Sequence, residues 1–175
     1  MSKIIEDKIS GVLFLEGSAF QDDRGELHKP LYNSIIPGFK ADEVYYIISK
    51  KNVLRGMHFQ LPPFEQGKFI YVAKGKILDV IVDLRKNSPT FGQSSSFSLS
   101  AGDNRAVYVP PGCAHGYLTL EEESVIHYVQ SGNYSREHER GIRFDSFGFN
   151  WPVKFPVVSE KDSLLPELSQ YQSPF

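Results

Sequence analysis

Sulfur is scarce in this chain: one cysteine and two methionines among 175 residues. The lone thiol, Cys113, has no internal disulfide partner, so burial rather than crosslinking has to hold the fold. An excess of one charge is missing as well. Lysine and arginine number 19 against 21 acidic residues, a net charge of −2, which gives no footprint for nucleic acid or an anionic membrane. Any phosphate must be held locally. No apolar run is long enough to cross a bilayer and no charged-then-apolar signal segment appears in the sequence, so the cytoplasm is the expected compartment. GxGxxG and GxxxxGK[ST] loops are absent, which removes support for dinucleotide redox or ATP chemistry, and the absence of a G-x-S-x-G elbow does the same for acyl hydrolysis. There is no His-x-His pair, and Cys113-x-His115 alone supplies too few ligands for a zinc site. Neither a metal nor an organic cofactor is expected.

Aromatic residues are plentiful at 13%, and 11 prolines and 14 glycines punctuate short apolar runs. That pattern favours many strands over long helices. A hydrophobic content of 41% can form a core, and no repeat or linker divides 1–175, so a single unit is expected with an irregular tail from near Pro152. Strands are predicted over 11–15, 43–49, 67–73, 76–84, 95–99, 105–109 and 124–129. GKFIYVAKGKILDVIVDLR reads as a hairpin turning at Gly75. In its second strand Leu78, Val80, Val82 and Leu84 share the apparent core face, opposite Ile77, Asp79, Ile81 and Asp83. The fold class is therefore all-β, a jelly roll being favoured over another sandwich. A short C-terminal helical turn is predicted, capped by Ser159 and running through Glu160, Lys161 and Asp162.

The segment NVLRGMHFQLPPFEQGKFIYV gathers Arg55, His58 and Lys68 about a Pro62-Pro63 turn. Strand parity points His58 and Gln60 to one face, and a reversal at the prolines would bring Lys68 into the same cavity. A base and a cation would then share a pocket. Taken alone, these residues also suit a hydrogen-bonded core histidine and a surface lysine whose stem covers apolar area. His115, in VPPGCAHGYLTL, fits a structural histidine at a strand entrance as well as a pocket member. His28, His127 and His138 stand in no comparable cluster.

DRGEL at 23–27, VLRGMHFQ at 53–60, PPFEQGK at 62–68, VIVDLRKNSPTFG at 80–92, VPPGCAHGYLTL at 109–120, REHERGIRFD at 136–145, Asn150-Trp151-Pro152 and SEKD at 159–162 follow one another in order. Together they resemble the dTDP-4-dehydrorhamnose 3,5-epimerase family. The resemblance implies a cupin-like double-stranded β-helix and a homodimer whose N-terminal strands help to complete the partner's site. It also implies a cofactor-independent epimerase that inverts C3, C5 or both in a nucleoside-diphosphate 4-keto-6-deoxy sugar. Such a step belongs to deoxysugar biosynthesis of the O-antigen and surface-polysaccharide type, with a ketoreductase acting next. Carried onto this sequence, the family's general base falls on His58, its orienting aspartate on Asp162 and its proton donor on Tyr128, with Tyr134 a second tyrosine near the site. Its lysine falls on Lys68, its pocket histidine on His115, and its phosphate-contacting arginines on Arg24 and Arg55. Arg24 equally suits an exposed ion pair.

The chemistry needs such a set. A proton beside a ketone leaves only if charge developing on the carbonyl oxygen is stabilised, the role implied for Lys68. Inversion requires the proton to return from the opposite face, so base and acid must be separate groups. Two stretches depart from the family. Glu43-Val44-Tyr45-Tyr46-Ile47 replaces a polar segment that helps to recognise the nucleotide, and Lys29 stands where a substrate-side glutamate is usual. An intact catalytic set with altered recognition residues implies the same reaction on a related substrate, with the nucleotide open among dTDP, GDP and CDP. Two rivals remain: a 3,4-keto-isomerase on the same fold, which would return the proton elsewhere, and a non-catalytic sugar-nucleotide-binding jelly roll, which has no reason to keep His58, Tyr128 and Asp162 together.

Overall fold

The structure, a computed structural model, describes residues 3–32 and 35–175. In chain order the strands are β1 (Lys3–Glu6), β2 (Leu13–Glu16), β3 (Ser18–Asp22), β4 (Gly25–Lys29), β5 (Glu43–Lys50), β6 (Leu54–Gln60) and β7 (Lys68–Lys74). They continue as β8 (Lys76–Asp83), β9 (Ser94–Ser100), β10 (Arg105–Val109), β11 (Cys113–Thr119), β12 (Glu123–Gln130) and β13 (Glu139–Gly141). One helical turn, α1 (Glu160–Ser163), and a 3-10 turn (Leu168–Gln170) follow. No described helix is long and apolar enough to cross a membrane.

The strands form a six-stranded sheet, β1-β2-β10-β7-β12-β5, and a five-stranded sheet, β13-β6-β11-β8-β9; β3 and β4 pair by themselves. Every ladder between strands is antiparallel. From β5 onward the chain crosses between the two large sheets at every connection except the β8–β9 hairpin, which makes this a cupin-like jelly roll. Between them lies a core that includes Ile9, Val12, Ile70, Val72, Ile77, Ile81, Leu99, Val107 and Ile126. Full burial of one such side chain contributes roughly 1.5–3 kcal/mol.

The expected hairpin at Gly75 does not form, because β7 and β8 lie in different sheets. Gly75 does adopt a positive φ of 77°, and a Cβ there would collide with the Glu123 carbonyl oxygen. The chain turns tightly at the sandwich edge and crosses to the facing sheet. Strand character plus a turn residue licenses a reversal without deciding which sheet receives the second strand.

Both faces of β8 are buried. Ile77, Asp79 and Ile81 face the interior between the sheets, while Val80, Val82 and Leu84 are covered from outside by the C-terminal segment through Phe147, Phe149, Trp151, Leu168, Tyr171 and Phe175. The region expected to be an irregular tail is thus a packed layer. It is pinned by Trp151 Nε1 donating to the Phe144 carbonyl at 2.9 Å and by Lys86 N donating to the Phe175 carbonyl at 3.0 Å. On the outer face of the six-stranded sheet, Leu31, Ile35, Ile36 and Phe39 cover Leu15, Phe69, Ala106 and Tyr108. The β5 side of that face stays open.

Candidate active site

A cleft of about 420 Å³ opens at one end of the sandwich. Cross-strand register places its residues in rows on the six-stranded sheet: Ile47, Ile126 and Val72 form one row, Tyr45, Tyr128 and Ile70 the next, and Glu43, Gln130 and Lys68 the last. Along each strand, then, the inward face passes from apolar core to polar cleft within four residues. The opposite wall comes from β6 and β11, where His58 and His115 are direct Cα partners.

β6 is not a regular strand. Arg55 and His58 are three residues apart and would face opposite ways in regular pleating, yet both line the cleft. The ladder to β11 shifts register between His115 and Tyr117, so that Tyr117 pairs with Arg55. At the shift Gly56 has φ 131°, and a Cβ on it would lie 2.5 Å from Gly116 Cα. The glycines of the RGMH and AHG segments are therefore required by one close backbone approach. Arg55 Nε donates to Ser49 Oγ at 3.1 Å, and that hydroxyl lies 3.0 Å from the Tyr117 hydroxyl.

His58 and Asp162 are joined by a 2.8 Å hydrogen bond between Nε2 and Oδ1, across 104 residues of sequence. Ser159 caps α1 by accepting from Asp162 N at 3.1 Å, as the SEKD segment predicted, and this turn presents the carboxylate to the histidine. Asp162 Oδ2 also accepts from Gly56 N at 3.3 Å. Burial alone would push this carboxyl up, but the His58 hydrogen bond and charge, with the Gly56 and Ser159 contacts, hold it below the usual carboxylate range. With the carboxylate accepting from Nε2–H, the imidazole lone pair is left on Nδ1.

Tyr128 stands on the facing sheet. Its phenol is pushed well above the ordinary range, first by burial and then by its electrostatic interactions with Tyr117, Asp79 and Tyr45, so it carries its proton at neutral pH. Lys68 lies one row further along the same wall. Burial lowers its ammonium to about 8 against the opposing pull of Glu139 and Glu43, which leaves it a cation under neutral conditions. Tyr134, more than half exposed, forms the rim and donates its hydroxyl to Glu139 at 2.9 Å. Gln60 also faces the cleft, but its amide ties down loops: Nε2 donates to the Phe64 carbonyl at 2.9 Å and to the Asn133 carbonyl at 3.2 Å, and Oε1 accepts from Ser135 N at 2.6 Å.

The expected residues His58, Tyr128, Asp162, Lys68, Arg55, Gln60, His115 and Tyr134 thus meet in one cleft. Arg24 and Lys29 do not join them. Both sit on the exposed β3–β4 hairpin, where Arg24 bonds to Asp22 at 2.5 Å, as its ion-pair reading anticipated, and Lys29 lies 5.8 Å from the Phe20 ring centre.

Several cleft groups were not singled out in the sequence. His115 Nε2 lies 2.7 Å from Oδ2 of Asp79, a fully buried carboxylate whose Oδ1 has no hydrogen-bond partner among the described residues. The available signal was an aspartate between Ile77 and Ile81, a buried position that demands a partner. Lys161 bonds to Glu139 at 2.6 Å beside His58, while Glu43 and Tyr45, which the sequence had already marked at the recognition segment, line the β5 wall. The described residues include no group of three or more His, Cys, Asp or Glu side chains that could hold a metal ion.

A base on one sheet, a protonated phenol on the other and a cation beside the phenol are what proton removal and return on opposite faces of a carbon require. Comparison with known proteins agrees. The family model for dTDP-4-dehydrorhamnose 3,5-epimerase matches residues 6–170. An enzyme of that name from Shigella flexneri is 37% identical over 166 residues, spanning 91% of this chain and 92% of its own. The crystal structure of the Bacillus anthracis enzyme, with TDP and pyrophosphate bound, superposes with a TM-score of 0.91 at 36% identity, covering 96% of this chain and all of that one. A 3'-monoepimerase from Streptomyces bikiniensis, in complex with dTDP-quinovose, gives a TM-score of 0.86 at 30% identity over 93% of this chain and 86% of its own. The fold and cleft define a sugar-nucleotide epimerase of the isomerase class. The chain belongs to the dTDP-4-dehydrorhamnose 3,5-epimerase family.

Proposed function

We propose that this enzyme inverts C3 and C5 of a dTDP-linked 4-keto-6-deoxy sugar, with His58 as base and Tyr128 as acid. The observation that carries the assignment is that these two side chains project into one cleft from facing sheets. Nδ1 of His58 takes the proton from the carbon beside the ketone, and Asp162, held at Nε2, stabilises the imidazolium that results. Lys68 balances the charge that moves onto the carbonyl oxygen. The Tyr128 hydroxyl then gives its proton to the other face of the same carbon, and the stereocentre is inverted. Arg55 on the cleft wall, with Tyr134 at the rim, suits the diphosphate and base of the nucleotide.

Proton NMR in D2O of dTDP-4-keto-6-deoxyglucose with the pure protein tests this. Deuterium at C3 and C5 with inverted couplings is expected. Deuterium at C3 alone would narrow the activity to a monoepimerase, and a carbonyl moved to C3 would mean a keto-isomerase instead. No exchange with dTDP, GDP or CDP sugars overturns the assignment.

The working form we propose is a homodimer in the cytoplasm. The uncovered part of the six-stranded sheet exposes Val44, Tyr46 and Ile48, each more than half accessible. A second copy of this chain is the occupant that suits such a strip, since the adjoining hairpin also exposes Phe20 and Leu27 and carries Arg24 away from its own cleft. Light scattering should give twice the mass of the chain, and a monomer at working concentration would refute the dimer. Cys113, buried and unpaired, fits a reducing compartment.

A further inference from the structure

On the β5 wall Tyr45 packs against Tyr128. The two are Cα partners across β5 and β12, with ring centres 5.0 Å apart and planes 6° from parallel. From another side the His115 ring meets Tyr128 edge-on at 5.9 Å. Tyr128 itself makes no hydrogen bond through its hydroxyl among the described residues, so its ring contacts alone fix where that hydroxyl points. Tyr45, in contrast, is tied down: its hydroxyl donates to Gln130 Oε1 at 3.2 Å, Gln130 Nε2 donates to Glu43 Oε2 at 2.9 Å, and Glu43 Oε1 accepts from Tyr134 N at 2.7 Å.

We infer that Tyr45 is a positioning residue for Tyr128, its anchored ring holding the proton donor's ring at one angle so that the unbonded hydroxyl faces the reacting carbon. This rests on the reading of Tyr128 as the acid. A donor whose oxygen was held by a protein acceptor would have to break that bond before it could serve the substrate; a donor held by its ring keeps the oxygen free. Parallel stacking supplies that hold, and the Glu43–Gln130 pair passes it back to the backbone of the neighbouring loop. Removing the stacked face should release the ring without touching His58, Asp162 or Lys68.

The consequence is a split between two fates of the deprotonated sugar. Return from His58 on the original face in D2O places deuterium in uninverted substrate, whereas delivery from Tyr128 gives inverted product. In Tyr45→Leu the ratio of deuterated, uninverted substrate to inverted product should rise about ten-fold, the scale of one aromatic contact. Tyr45→Phe, which keeps the ring and loses only the bond to Gln130, should restore most of the inversion. A parallel fall of both fates in Tyr45→Leu, or no change in either, overturns the inference, as does a phenylalanine variant no better than the leucine one. Tyr128→Phe is the companion measurement: loss of inversion with exchange retained upholds the acid, and normal inversion would show that the reading of Tyr128 had failed before Tyr45 entered. Circular dichroism of each variant confirms that the fold is retained.

Discussion

Two histidine–carboxylate pairs stand side by side in the cleft wall, alike in chemistry and unlike in setting. His58 and Asp162 meet through Nε2 and Oδ1 at 2.8 Å, with 28% of the histidine side chain accessible. His115 and Asp79 meet through Nε2 and Oδ2 at 2.7 Å, with 5% and none accessible. The first pair joins a strand to a C-terminal turn capped by Ser159, and two donors satisfy its carboxylate: His58 Nε2–H and Gly56 N–H. The second joins neighbouring strands inside the sandwich and leaves Asp79 Oδ1 without a partner. One hydrogen bond can therefore orient a reacting group or hold two neighbouring strands of one sheet in place, and access to the cleft separates the two uses.

The largest effect should follow from removing the base. His58→Ala is expected to lower kcat by roughly 10²–10⁴-fold and to abolish solvent exchange while the melting temperature hardly moves. His115→Leu should do the reverse in kind. It strands a buried carboxylate, costing about 3–5 kcal/mol and on the order of ten degrees or more of melting temperature. Differential scanning calorimetry beside the NMR assay distinguishes them; if both variants lose chemistry and keep stability, the pairs are equivalent and the division is wrong.

A smaller change falls on the carboxylates. Asp162→Asn keeps the shape of the capped turn but can also donate to the ring, so the imidazole tautomer is no longer fixed. About 10–100-fold in kcat is expected, with KM little altered. An effect confined to KM would assign Asp162 to substrate binding.

Lys68 gives the comparison a pH axis. Its ammonium titrates near 8 because burial outweighs the neighbouring Glu139 and Glu43 carboxylates. Deprotonation removes the positive charge that faces the developing oxyanion, so activity should fall as pH rises through about 8 and be retained below it. The sign is opposite to that expected if the lysine were the base, for then activity would grow with pH. Lys68→Met should give a low, flat profile across that range, and a limb that survives the substitution belongs to another group.

Much of this site was legible before the fold was known, and for identifiable reasons. The Ser159 cap and the SEKD turn are local, so sequence sufficed to place Asp162 on a short helix; β10 matched its expected bounds of 105–109 because its alternation is unbroken. Neither β6 nor β11 was among the predicted strand ranges, although strand parity was applied to His58 and Gln60; Gly56 and Gly116 interrupt the two strands, and only their mutual approach explains why both glycines are there. β3 and β4 have no buried face to leave a period in the sequence. The Asp79–His115 pair depends on strand pairing across 36 residues, which composition does not encode. The C-terminal aromatics looked like tail because their partners, Val80, Val82 and Leu84, lay on a strand whose other face also had to be buried.

Arg24 carries the smallest expected change and reaches furthest from the two pairs. On the hairpin its side chain is 90% accessible and bonds only to Asp22, so Arg24→Ala should leave the melting temperature where it was. If the hairpin serves only its own chain, kinetics should be unaltered too, because the cleft does not include it. In the proposed dimer the hairpin reaches the other copy's cleft and its guanidinium meets the diphosphate, so KM should rise several-fold with kcat nearly kept, the mark of binding shared by ground and transition state. Mixing Arg24→Ala chains with His58→Ala chains then separates the cases. A heterodimer has one cleft in which an intact His58 is served by the partner's intact hairpin, so low-KM turnover should reappear on mixing. If each chain serves itself, mixing restores nothing, and the hairpin arginine returns to being a surface ion pair.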